Sequence, residues 1–166
     1  MNLLAQILGV LAIITWVISI QQREKKNVLL CQAIANSIYG IQYFLLGAMS
    51  ASFMNFISFF RSWVFYDDEK KKRNTTGSSF LFFSFIIVVF GILTYRDIFG
   101  LIPVFITLAY SYSVWQKNLT ITRWIFIIAA FVWIYYNMKE GAYVTVVGNI
   151  LEIISGIIAL IRYKKR

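Results

Sequence analysis

The sequence predicts an all-α integral membrane protein of seven transmembrane helices, arranged as two triple-helix bundles joined by a linker helix. Three observations lead there. Of 166 residues, 60% are hydrophobic and only 14% charged, with a mean hydropathy of +0.71; a soluble domain carries about a quarter charged residues. The apolar residues fall in long runs separated by short polar patches. The chain also superposes on itself at a fixed offset, which places one odd span between two sets of three.

Seven runs are predicted to span, over residues 3–20, 28–46, 48–66, 79–95, 98–115, 123–138 and 142–161. The first lacks a basic leader and a small-residue cleavage site, and Gln21-Gln22-Arg23 follows directly, so it is read as a retained span. The third carries Asn55 and Arg61, and the sixth is short. Spans of about 20 residues use up most of the chain and leave no room for a separate soluble domain. Three segments follow: a first bundle over 1–66, a loop and linker helix over 67–97, and a second bundle with a basic tail over 98–166.

Charge sets the expected orientation. Of the sixteen lysines and arginines, thirteen follow the first, third, fifth and seventh spans; Arg96 and Lys139 lie opposite, and Arg61 is inside the third span. Basic residues accumulate on cytoplasmic loops, so the N-terminus is expected outside and the C-terminus in the cytoplasm. The same rule accounts for the net charge of +9 without a nucleic-acid partner. The sequons at Asn74 and Asn118 then fall on the cytoplasmic side and are read as coincidental.

An offset of 94 positions, without gaps, lays spans one to three on spans five to seven. Val10 meets Val104, Ser19 meets Ser113, Gln22 meets Gln116, and Asn55 meets Asn149. Gly47-Ala48 and Gly141-Ala142 both stand at the start of the third helix of a triplet, each about two turns before its asparagine. Tyr39 aligns with Trp133. Two triplets of one orientation require an odd helix between them; the fourth span, apolar over 80–93 apart from Ser84, fits a lipid-facing connector.

Polar groups are costly against lipid, so lines of them mark the protein interior. Ser52, Asn55, Ser58 and Ser62 share one face of the third span, and Thr145, Asn149, Glu152 and Gly156 one face of the seventh. Two asparagines at matched depth can offer donors and acceptors to one polar solute, with Tyr39 and Trp133 beside it. Packing between helices is the alternative reading of such residues. Glu152 is the most expensive residue, about 2.5–3.5 kcal/mol for a carboxylate at mid-membrane. It is expected either to pair with Arg61 across the cytoplasmic mouth, to bond locally while Arg61 snorkels, or to carry a coupling proton. Pro103 and its counterpart Gly9 are candidate hinges in the first helix of each triplet.

Composition removes several chemistries. There is no histidine, one cysteine (Cys31) and no glycine-rich phosphate loop, so a Ser-His-Asp triad, a histidine- or thiolate-built metal site and a nucleotide loop are not expected. No cofactor is expected, and the chain is not read as an enzyme.

Leu101-Ile102-Pro103-Val104, Trp133 with Tyr136-Asn137, and Gly148-Asn149-Ile150 leading to Ile161-Arg162 resemble the YgjV family of bacterial inner-membrane proteins. The resemblance covers most of the chain, best from Tyr95 onward. It implies a place in the MtN3-like superfamily, with SWEET, PnuC and PQ-loop transporters and the KDEL receptor, and hence a SWEET-like fold. In SWEET proteins an asparagine on the third and on the seventh helix, with an aromatic on the sixth, lines the sugar site; the matching residues are Asn55, Asn149 and Trp133. The Pro-Gln dipeptide of that superfamily is absent, so no substrate is carried over. The expected function is transport of a small polar solute, sugar- or vitamin-like, by alternating access, in contact with membrane lipids and with homo-oligomerisation left open. The alternative is a non-transporting receptor or accessory subunit on the same fold.

Overall fold

The structure, a computed structural model, describes residues 3–73 and 77–164. The sequon at Asn74 and the last two basic residues, Lys165 and Arg166, lie outside them. The described residues form seven α-helices and no strand: α1 (Leu3–Ile20), α2 (Lys25–Leu45), α3 (Met49–Lys70), α4 (Gly77–Leu93), α5 (Leu101–Trp115), α6 (Leu119–Lys139) and α7 (Tyr143–Lys164). A single 3-10 turn, Ile98–Gly100, leads into α5. Five helical stretches are long and apolar enough to cross a membrane; α4 is apolar but has 17 residues, and α3 is not among the five.

Several helices extend past their expected ends, for local reasons. α6 starts at Leu119 because the Asn118 side chain accepts a hydrogen bond from the Thr120 amide, capping the first turn. The sixth span is therefore 21 residues long, not short. α2 begins at the charged Lys25, whose ammonium donates to the carbonyls of Trp115 and Gln116 and so ties α2 to the end of α5. α3 runs on to Lys70, past the apolar stretch, so that Asp67 can hold Lys71 and Arg73 just beyond it.

The turns α2–α3 and α6–α7 are built alike. Gly47 and Gly141 adopt left-handed backbone, φ +77° and +71°. Glycine takes that conformation without the penalty a Cβ brings. The following amides, Ala48 and Ala142, donate back to the carbonyls of Tyr43 and Asn137 at 3.0 and 2.9 Å. The ends of α2 and α6, and of α3 and α7, coincide at both termini under the 94-residue offset that relates Tyr43 to Asn137.

Packing orders six helices as a ring. α1 packs on α2, α2 on α3, α3 on α5, α5 on α6, α6 on α7, and α7 back on α1. The fourth helix lies outside it against α3 and α5, burying only Phe83, Ile87 and Gly91, one stripe of its surface. Phe83 meets Phe65 edge-on, and Gly91 leaves room for Val104.

The distribution of side chains is inverted relative to a water-soluble bundle. Leu81, Phe85, Phe105, Phe131 and Ile154 point outward, while Gln42, Ser58, Arg61, Ser111, Asn137 and Glu152 are buried. A hydrocarbon surround requires that arrangement, because unpaired polar groups there cost several kcal/mol each.

At the end of the bundle where α5 begins, Asp97 accepts from the Gly100 amide at 2.9 Å, and Lys139 sits 3.5 Å from the same carboxylate and 3.3 Å from the centre of the Phe99 ring. The Gly100 amide, with Lys139 adding to it, holds the Asp97 carboxyl below the ordinary carboxylate range. Because the folded state lowers this pKa, its small contribution to stability is present above the ordinary value and is lost as pH falls through the lowered one. A Lys139→Met variant is expected to move the Asp97 titration upward, as read by carboxyl-carbon NMR.

Candidate functional site

The ring encloses a polar cavity to which all six of its helices contribute and α4 does not. α1 supplies Trp16, α2 Asn36, Tyr39 and Tyr43, and α3 Asn55 and Ser58. From the other half come Thr107 and Tyr110 of α5, Trp133 of α6, and Thr145, Asn149 and Glu152 of α7. The cavity is narrow. The centres of water-sized molecules have about 30 Å³ in it, room for roughly two waters. Pockets that enclose a drug-sized ligand run to hundreds of Å³.

A hydrogen-bonded chain crosses one side of it. The Tyr43 hydroxyl donates to Asn137 Oδ1 at 2.6 Å, Asn137 Nδ2 donates to Asn149 Oδ1 at 2.9 Å, and Asn149 Nδ2 donates to Glu152 Oε2 at 3.3 Å. Every link is buried, so each bond is strong and each donor would be costly to strand. Beside it Gln42 donates to the Thr145 hydroxyl at 3.0 Å, joining α2 to α7. Two aromatic groups flank the site. Tyr43 stacks on Tyr39 and on Trp133, with centroids 6.2 and 5.9 Å away, and Trp16, Tyr110 and Phe126 pack together at 5.2–5.6 Å.

The four residues expected to bind solute, Asn55, Asn149, Tyr39 and Trp133, all line this cavity. The two asparagines are not equivalent. Asn149 has both its amide oxygen and its amide nitrogen engaged, whereas Asn55 makes one side-chain bond, from Nδ2 to the Ala51 carbonyl of its own helix at 2.8 Å. The Asn55 carbonyl oxygen has no partner among the described residues.

Glu152 and Arg61 are not brought together. Arg61, 1% exposed, donates through Nη1 to the Thr107 carbonyl and the Ser111 hydroxyl, bridging α3 to α5 rather than reaching the cavity or the headgroups. Three- and four-residue steps on α3 had placed it one turn beyond Ser58, but the α5 seam lies nearer that turn than α7 does. The position equivalent to Arg61 on α7 is Ser155, and it too joins a seam: Gln21 donates to its carbonyl and hydroxyl at 2.9 and 2.7 Å.

Pro103 is the third residue of α5, in the first turn, where a backbone N–H has no intrahelical acceptor in any case. It stands where the 3-10 turn Ile98–Gly100 passes into α5, and not within a long helical ladder. Gly9 lies mid-helix against Gln42, with a close approach that a Cβ would obstruct.

Residue-by-residue reading did not single out Trp16 and Tyr110. The offset that relates the asparagines also relates these two, and their rings touch at 5.6 Å. Tyr43 and Asn137, likewise equivalent, are joined directly. Under two-fold symmetry, equivalent residues touch each other only near the axis, and both pairs border the cavity.

A bundle apolar outside and polar within, with several helices long enough to span a bilayer, defines a multi-pass integral membrane protein. A family model described as bacterial inner membrane protein, Imp-YgjV, matches residues 3–166. The chain belongs to this YgjV family, and its place is the bacterial inner membrane. No curated protein and no solved structure matches it.

Proposed function

We propose that this protein carries a small polar solute across the inner membrane by alternating access, with the cavity as the solute site. One observation carries the reading: six helices from both halves of the chain turn polar and aromatic side chains into one cavity inside an apolar shell. In lipid, such a lining costs free energy unless it serves a polar occupant or its own internal bonds. Coinciding helix bounds, matched glycine turns and the two self-contacting pairs support a parallel repeat of three helices, with α4 as the connector.

Rocking of the two triplets would open the α3–α5 and α7–α1 seams, which Arg61 and Gln21 bridge. The cavity must widen for a sugar or an organic cation to enter, since as it stands it has room for roughly two waters. Its narrowness is also what favours the second reading, a non-transporting receptor or accessory subunit.

Uptake into proteoliposomes decides between them. Counterflow of a labelled sugar, vitamin or amine, lost in Asn55→Ala, is the expected result. A protein that binds a ligand yet moves none of them would be a receptor. In the same preparation, a C-terminal fluorescent-protein fusion is expected to fluoresce, as a cytoplasmic C-terminus requires.

A further inference from the structure

Among the described residues Glu152 is the only charged side chain lining the cavity, and it is 3% exposed. It forms no ion pair with any described residue; the buried Arg61 donates through Nη1 to Thr107 and Ser111 instead. Its Oε2 accepts one bond from Asn149 and its Oε1 closes none, with the Trp16 indole N–H and the Tyr110 hydroxyl as the donors beside the carboxylate. A buried carboxylate of this kind costs several kcal/mol until a cation or a proton compensates it. Aromatic side chains share the lining with it: Trp16 and Tyr110, whose rings touch, and Tyr39, Tyr43 and Trp133, with Tyr43 stacked between the other two.

Aromatic faces and an acid select for the same thing. The ring quadrupole draws a cation toward the face, by about 2 kcal/mol or more where water is excluded. A neutral sugar gains nothing from it. A strongly hydrated metal ion would need more oxygen ligands than one carboxylate and an amide or two supply.

Resting on the transport reading above, we propose that the solute is a small organic cation, an amine or quaternary ammonium, held by the Glu152 carboxylate among the aromatic rings of the cavity. The free carbonyl oxygen of Asn55 accepts an N–H where the cation has one. Ser58, at the position equivalent to Glu152, leaves the second half of the lining uncharged, so the cavity takes one positive charge rather than two. The titratable groups facing Glu152 are then the phenols of Tyr39, Tyr43 and Tyr110, none of which is a cation in either protonation state.

The test uses the purified full chain in detergent, with choline as probe. Its control is the uncharged alcohol in which carbon replaces the choline nitrogen, both at constant ionic strength. Choline is expected to raise the melting midpoint and to change tryptophan fluorescence through Trp16 and Trp133, with the alcohol at least roughly tenfold weaker, a difference of about 1.4 kcal/mol. Glu152→Gln, close to isosteric, is expected to lose that preference. Equal responses to choline and alcohol, no response to choline, or full choline binding by Glu152→Gln would overturn the proposal. Should Glu152→Gln fail to fold, the choline-to-alcohol comparison on the unmutated protein still decides. Choline binding without uptake by proteoliposomes keeps the cation site and removes transport. Uptake of a neutral sugar with no response to choline does the reverse.

Discussion

Asn149→Ala is expected to cost both stability and transport, whereas Asn55→Ala is expected to cost transport almost alone. The difference follows from what each amide does. Asn149 is the middle of the chain from Tyr43 to Glu152, and its removal leaves Asn137 Nδ2 without an acceptor and Glu152 Oε2 without its amide donor. Each buried group so stranded costs about 1–3 kcal/mol. Asn55 gives up a single bond to the Ala51 carbonyl, which retains its place in the helix ladder, for about 1 kcal/mol or less. Thermal denaturation in detergent should therefore rank the variants as wild type, then Asn55→Ala, then Asn149→Ala, the last well separated. Uptake should fall in both. Equal melting midpoints for the two variants would mean that the polar chain is not holding α6 to α7.

The second large effect lies at the α1–α7 seam. Gly148 faces Ile13, and a Cβ added there would overlap the isoleucine side chain rather than merely touch it. Gly148→Ala is expected to push α1 away and to destabilise by about 1–3 kcal/mol, the usual cost of overpacking. Ile13→Ala alone should also destabilise, by leaving a cavity, about 2–5 kcal/mol. Combined, the two should be markedly less harmful than their sum, because the new methyl occupies space that the isoleucine vacates. Additive losses would show that α1 and α7 are not in contact at this level. The cycle also tests ring closure, since α1 and α7 lie at opposite ends of the chain and this seam is what makes the six helices a ring.

Much of this was legible beforehand. Four residues expected in one site do line one cavity, and the 94-residue offset anticipated helix bounds that coincide. Periodicity serves well for such features because it depends only on which face of a helix a residue occupies. It served badly for Arg61 and the start of α6. Arg61 needed knowledge of which neighbouring helix lies against its turn. The α6 start depended on the Asn118 cap, hidden among polar residues that read as loop.

By itself the sequence determined that this chain belongs in a membrane, roughly where its helices run, and which residues each helix turns away from lipid. Those are consequences of solvation, and solvation acts residue by residue. Tertiary structure alone decided that α3 meets α5 and α7 meets α1, that Asn149 is bound while Asn55 keeps a free carbonyl, and that Arg61 bridges a seam instead of neutralising Glu152. Hydrogen bonds between helices depend on crossing geometry at the scale of an ångström, which is set only when the whole bundle packs at once.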